Sequence, residues 1–310
     1  MSFSNRAAAV FNFRHKRLVI LFGLVGNTLS FLVMNLPSNR SNVMSFYFKI
    51  LAISDTQSLV TNLLPGFILK LLPNIISNHP AGDFLCVLQF FLGMVSFNIS
   101  IWLITTVALD RFIVVKFPLK ANLWCTMKRA RVLVSANVLL HIIIYIPNAF
   151  RSTQQDGSGT LTYCKIPVVL EWYLLVFDIL NAVVDVIIPL GLLFMLNIAI
   201  IISLSQSRSD VIGDTSTGKK SRSKKERNLT VMLVVVATSL LILILPYTID
   251  SMAWRCCLGD VLVSNPAARA LSFEIGFVLC VVSNAINFCL YLGSSAKFKG
   301  DLRSLLHVPS

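Results

Sequence analysis

Charge is scarce in this chain. Only 13% of its 310 residues are charged, while 55% are hydrophobic. A water-soluble domain carries about a quarter charged residues, so this composition argues against one. Acidic residues are fewest, 14 against 27 basic ones. The resulting net charge of +13 would suit nucleic acid if it formed one stripe. The basic residues instead fall in short clusters between apolar runs, the pattern of charge bias across a lipid bilayer. Chemical signatures are missing too. There is no GxSxG, no HExxH, no phosphate-cradling loop and no Cys/His cluster at metal-ligand spacing. No inverted repeat with broken helices is evident. An enzyme, a metal centre and a transporter are all disfavoured. No cleavable signal peptide is evident, because Arg14-His15-Lys16-Arg17 directly precedes the first apolar run and no small-residue cleavage site follows it.

What is present is a series of long apolar segments. They run roughly from Leu18 to Leu36, Val43 to Leu72, Asp83 to Val115, Val132 to Phe150, Glu171 to Leu204, Leu229 to Trp254 and Ala267 to Tyr291. Each is long enough to cross about 30 Å of hydrocarbon as a helix. The expected fold is therefore an all-α, seven-transmembrane helix bundle. It divides into a short outer N-terminus (1–17), a membrane domain (18–292) and a cytosolic tail (293–310). The polar insert Ser205 to Asn228, rich in Ser, Lys and Arg, reads as a mobile loop.

The basic residues set the orientation. Lys116, Lys120, Lys128, Arg129 and Arg131 follow span three; Arg208, Lys219, Lys220, Arg222, Lys224, Lys225 and Arg227 follow span five. The link between spans two and three has no Lys or Arg, and the other links on that side are poor in both. The positive-inside rule then places the N-terminus outside and the tail in the cytosol. The cluster at Arg14–Arg17 fits this badly and is outvoted. The sequons at Asn39, Asn98 and Asn228 fall on the cytosolic side or inside a span, so none is expected to carry a glycan. In the tail, Phe298, Leu302, Leu305 and Leu306 recur at helical spacing among Lys297, Lys299 and Arg303. That is an amphipathic helix lying on the inner leaflet.

This topology puts Cys86 at the outer start of span three and Cys164 in the outer loop before span five. A disulfide between them is the expected state in an oxidising compartment, two free thiols being the alternative. Cys125, Cys280 and Cys289 read as reduced thiols. Polar residues inside spans are functional candidates by default: Asn27, Asp55, Ser100, Ser283 and Asn287 qualify. Span five adds a stripe. Glu171, Asp178, Asn181 and Asp185 share one face over about 21 Å of helix. Asp185 lies deep, where a carboxylate costs several kcal/mol unless paired. It is expected to meet a cation on a ligand, with internal pairing as the alternative.

Gly26-Asn27, "LAISD" ending at Asp55, Cys86, Asp110-Arg111, Pro189, Pro246 and Asn287-x-x-x-Tyr291 occur in one order and register. Together they resemble the rhodopsin-like (class A) G-protein-coupled receptors over nearly the whole chain from Gly26 to Leu306. The resemblance implies roles. Asp55, Ser100, Ser283 and Asn287 would form a pocket for an allosteric sodium ion, with Asn27 bridging helices; a polar packing knot is the alternative. No other cofactor is implied. Asp110 and Arg111 would form a cytosolic latch, together with Tyr291 and with Glu226, which lies 20 residues before Pro246; pairing of Glu226 with its own Lys and Arg neighbours is the alternative. The tail would be the family's eighth helix. The partners implied are an extracellular ligand, a heterotrimeric G protein and arrestin, at the plasma membrane.

The chain also departs from the family. Phe288 follows Asn287 where Pro is usual, Ile244 stands in place of a Trp, Leu240 in place of a Phe, and Asn197 in place of a Tyr. Aminergic members place an Asp 18 residues before the Arg, where this chain has Gly93; opsins need a Lys in span seven, and none lies between Ala267 and Tyr291. "SNAINFCLY" and "RFIVVKFPLKANLWCT" look like invertebrate FMRFamide-type neuropeptide receptors and their orphan relatives. A peptide is therefore the expected ligand. The residues expected to face it are Gly93, Phe97, Asp178, Asn181, Asp185, Tyr247 and Phe277. A divergent orphan or chemosensory receptor, or a non-signalling decoy, would share the same fold.

Overall fold

The computed structural model describes residues 3–71, 79–155, 161–165, 176–177, 180–210, 217–256 and 266–306. Span one is α1 (Phe3–Met34) and span two is α2 (Val43–Leu71). Span three is continuous through α3 (His79–Val87), a π-helical turn (Leu88–Gly93) and α4 (Met94–Lys116). Pro118 opens the short α5 (Pro118–Trp124) and forces Phe117 before it out of the helical region, to φ −130° and ψ 62°. Span four is α6 (Met127–Tyr145), whose N-cap Thr126 accepts from the Arg129 amide. Span five is a π-helical turn (Asn181–Ile187) followed by α7 (Ile188–Asp210); spans six and seven are α8 (Thr217–Cys256) and α9 (Pro266–Ser294). The amphipathic α10 (Ala296–Leu305) follows. It is capped by Ser295 and buries Phe298 and Leu302 while Arg303 is exposed.

Five stretches among the described residues are long and apolar enough to cross a membrane: Pro80–Lys116, Met127–Phe150, Val183–Ser203, Thr230–Asp250 and Leu271–Ser294. Leu18–Met34 of α1 is a shorter apolar stretch. The burial pattern is inverted relative to a soluble protein. Leu18, Ile143 and Met195 are about two-thirds exposed, while Asn27, Asp55 and Asn287 are buried. That arrangement is stable only where the outer surface meets hydrocarbon.

The sequence reads Ser205 to Asn228 as a loop, and the structure corrects this. Helix α7 continues to Asp210 and α8 starts at Thr217. Lys, Arg and Glu are good helix formers, and extending a formed helix carries no nucleation cost. Low hydrophobicity alone was the wrong guide there.

Close packing near the polar core depends on glycine. A Cβ on Gly23 would lie 2.5 Å from Leu59 Cδ1 and 2.9 Å from Ala285 Cβ; one on Gly26 would lie 2.9 Å from Phe288 Cβ. Spans one, two and seven therefore meet at van der Waals contact. Gly23→Leu is expected to cost about 1–3 kcal/mol through overpacking. The check is a lowered thermal midpoint of detergent-solubilised protein, with a smaller drop for Gly23→Ala.

On the outer side, Ser152–Gln155 pairs antiparallel with Leu161–Lys165. The Cys86–Cys164 disulfide forms as expected and ties this hairpin to span three. Asp83 Oδ1 accepts from the Thr153 amide at 2.6 Å and from its hydroxyl at 2.8 Å. The Arg151 guanidinium donates to the Cys164 carbonyl at 2.8 Å and lies 4.6 Å from the Phe90 ring centroid. Cys125, Cys280 and Cys289 are free thiols, again as expected. Asn39 and Asn98 are buried. The Asn39 amide donates to the Val33 carbonyl and to Asp301 of α10, each at 2.9 Å.

Candidate functional site

The mid-membrane polar residues converge. Asp55 is 1% exposed, and its Oδ2 accepts from Asn287 Nδ2 at 2.7 Å. Asp55 Oδ1 makes no geometric hydrogen bond among the described residues, although the Ser100 hydroxyl is near the carboxylate. The Ser100 hydroxyl is shared with Ser54 at 2.8 Å and donates to the Ser96 carbonyl at 3.2 Å. Asn27 Nδ2 donates to the Asn284 carbonyl at 3.1 Å, joining spans one and seven. Asn284 Nδ2 in turn donates to Ser58 Oγ at 3.1 Å. Ser283 is buried and, among the described residues, bonds within its own helix, to the Cys280 carbonyl. The sequence reading missed Ser54, Ser58 and Asn284. Ser58 and Asn284 each sit three positions from Asp55 and Asn287, a spacing that would have found them. A buried carboxylate oxygen without a donor, close to serine hydroxyls, has the chemistry to hold a small monovalent cation.

A cavity of about 40 Å³ is lined by Ser58, Asn62, Phe97, Tyr247, Phe277 and Asn284, among others. Phe97, Tyr247 and Phe277, expected at a ligand site, thus share one chamber from three different spans. Phe273 extends the aromatic wall, 5.7 Å from Tyr247 and 6.3 Å from Phe277 between ring centroids. Gly93 is buried, and a Cβ there would lie 3.0 Å from Asn62 Oδ1 and 3.1 Å from Thr61 Oγ1. It is a point of close approach between spans two and three.

In the span-five stripe, Asp185 is paired internally. Asp185 is 2% exposed and faces span four. Its Oδ1 lies 3.1 Å from His141 Nε2, and its Oδ2 accepts from the Tyr145 hydroxyl at 2.8 Å. Asn181 Nδ2 donates to that same hydroxyl at 2.8 Å. Internal pairing offsets the cost of burying Asp185. Glu171 and Asp178 lie outside the described residues.

At the cytosolic end, Asp110 and Arg111 are about 95% buried. Asp110 interacts with the hydroxyl of Tyr47 from span two, a fully buried residue that sequence reading missed, while Asp110 Oδ2 makes no hydrogen bond among the described residues. The Cys125 thiol donates to the Asp110 carbonyl across 3.7 Å. Burial, and then the Asp110 charge, push that thiol up to about 11, so it keeps its proton. Glu226 belongs to α8, but its side chain lies outside the described residues. Tyr291 packs at 4.8 Å on Phe48 and 5.6 Å on Phe298 between ring centroids; its hydroxyl makes no hydrogen bond to the latch pair.

Residues 26–291 match the family described as 7 transmembrane receptor (rhodopsin family). The chain belongs to this rhodopsin family. As a member it is a multi-pass membrane receptor with a seven-helix bundle, not an enzyme. Among its relatives, the FMRFamide receptor of Drosophila melanogaster is 25% identical over 91% of this chain and 51% of its own length. The somatostatin receptor type 5 of Bos taurus is 27% identical over 93% of this chain and 74% of its own. The somatostatin receptor type 2 of Sus scrofa is 25% identical over the same shares. The chain thus spans about half the length of the insect relative.

The receptor's basic face, assigned to the cytosol by charge bias, also carries an apolar knob. On α5, Leu119 is 92% exposed, Leu123 69% and Trp124 55%. Arg129 stacks over Trp124 at 5.1 Å, which fixes that ring. The knob lies beyond the end of the apolar span, among Lys116, Lys120 and Lys128. An exposed apolar cluster rimmed by charge is the pattern of a protein-docking or membrane-contact surface.

Proposed function

We propose that this receptor binds a peptide on its outer side and activates a heterotrimeric G protein in the cytosol, acting in the plasma membrane with its N-terminus outside. One observation carries the coupling: the Asp110-Arg111 pair, buried and held by Tyr47 beside an exposed apolar knob. Its release would present Arg111 and Leu119 to one partner, and arrestin is a second candidate for the same face. The named ligands of the relatives support a peptide, as does the hairpin tied down at the outer mouth. Charge bias supports the orientation. Agonist acts by binding the released state more tightly than the latched one.

The experiment is a library of synthetic neuropeptides, FMRFamide and somatostatin among them, applied to cells carrying activation sensors for each class of G protein. A peptide that activates at least one sensor bears the reading out. Silence of every sensor, with receptor at the cell surface, favours a non-signalling receptor of the same fold. The Ile244 and Phe288 departures point toward that second reading. A narrower expectation concerns Leu119. Leu119→Asp should reduce coupling efficiency about tenfold or more, as for a buried anchor lost from an interface. Peptide binding should be unchanged, as read by radioligand competition.

Asp55, with Ser54 and Ser100, would hold the allosteric sodium ion, which supplies the charge that Asp55 Oδ1 lacks. An ion bound only in the latched state lowers agonist affinity. Asp55→Asn is expected to remove the sodium dependence of agonist competition curves. A sodium effect of undiminished size in the variant would place the ion elsewhere.

A further inference from the structure

The His141–Asp185 contact is the most deeply buried titratable pair among the described residues, with side-chain exposures of 0% and 1%. Its hydrogen bonds fix how many protons it holds. His141 Nδ1 lies 2.8 Å from the Asn137 carbonyl, which can only accept, so Nδ1 carries hydrogen. Tyr145 donates to Asp185 Oδ2. The 3.1 Å contact between Nε2 and Oδ1 is then attractive only if one proton lies between them. Whichever atom carries it, the pair as a unit is neutral. That explains how it sits among lipid-facing helices at little cost.

The pair grips a special piece of backbone. Asp185 lies within the π-helical turn Asn181–Ile187, which is separated from Pro189 by Ile188 alone. A π turn holds one residue more than the α-helix it interrupts, and such turns are rare and cluster at functional sites. Several side chains brace this one. Trp102 Nε1 donates to the Val184 carbonyl at 3.1 Å, and Asn98 Nδ2 donates to the Tyr145 hydroxyl at 2.8 Å. Spans three and four thus converge on the extra residue of span five.

We propose that the His141–Asp185 dyad holds span five in one of two registers. With the dyad formed, the extra residue is stored in the π turn. With it broken, the turn relaxes to α-helix, and α7 advances by one residue past span three. Each residue of α7 is replaced in its old position by its predecessor, a step of about 1.5 Å and 100°. Asn197 and Ile200, which line a small cavity with Ala108 of span three and Leu233 of span six, would leave that wall. The cytosolic half of span five would then meet span six with a different face.

The test reads register directly and needs neither ligand nor G protein. Cys125, Cys280 and Cys289 are replaced by Ser, Ala108 by Cys, and a second Cys is walked through positions 196–203 in full-length receptor in membranes. A short bis-thiol linker then gives an efficiency profile. Asp185→Ala should shift the whole profile by one position toward the N-terminus, so that Ala199→Cys takes over the efficiency of Ile200→Cys. Asp185→Asn should leave it unmoved, because its amide can donate to neutral Nε2 and its oxygen can accept from Tyr145. His141→Leu, which removes the other partner while filling its volume, should shift the profile as Asp185→Ala does. It stands in if that variant fails to reach the membrane. A profile unmoved by loss of either partner would overturn the proposal. So would a shift in Asp185→Asn equal to that in Asp185→Ala.

Discussion

Arg111→Ala is expected to abolish most agonist-driven G-protein activation while the receptor still binds peptide. Losing a charged contact from a coupling interface costs about 2–5 kcal/mol, or roughly 30-fold and upward in coupling efficiency. The measurement is nucleotide exchange on purified G protein, set beside peptide competition on the same membranes. Normal exchange by the variant would sink the latch account and leave the fold untouched. The converse change works on the resting state. Asp110→Asn removes the charge facing Arg111, and Tyr47→Phe removes a hydroxyl that holds Asp110. A hydrogen bond to a charged group is worth about 1.5–3 kcal/mol, enough to raise the released population more than tenfold. Both variants should raise basal signalling, Asp110→Asn the more.

Cys86→Ser should be the most damaging single change on the outer side. The disulfide spans 78 residues of sequence, and losing a bridge of that kind costs about 2–5 kcal/mol. It also frees the hairpin at its Cys164 end, although Asp83 still holds Thr153. Surface expression should fall severalfold, measured by flow cytometry on an N-terminal tag. Cys164→Ser should match it, and the double variant should be no worse than either. An additive double variant would mean that the two cysteines act separately.

Much of this was legible from the sequence for a physical reason. Apolar runs of membrane length, charge bias and the register of Asn27, Asp55, Arg111 and Asn287 are each set locally. The Asp55–Asn287 bond and the Cys86–Cys164 bridge followed from those positions. What escaped depended on facing. Asp185 was placed correctly on a polar face of span five, but that face turns toward His141 and Tyr145, residues that drew no notice within an apolar span. The π turn at Asn181–Ile187 rotates the face, and no side-chain periodicity announces it. Gly93 was read by its place in the chain, whereas its contacts with Thr61 and Asn62 belong to packing between two spans. Tyr47 was invisible because its partner lies on another helix.

Phe288 deserves a different description from a missing proline. Its side chain sits against the bare face of Gly26, and its ring meets Phe298 of α10 edge-on at 5.8 Å between centroids. Phe298 continues the contact to Tyr291, and Tyr291 to Phe48. A proline there would give span seven a hinge. The aromatic rivets it to span one and to the tail helix instead. The end of span seven and α10 are therefore one aromatic seam with spans one and two, from Gly26 through Phe288, Phe298 and Tyr291 to Phe48.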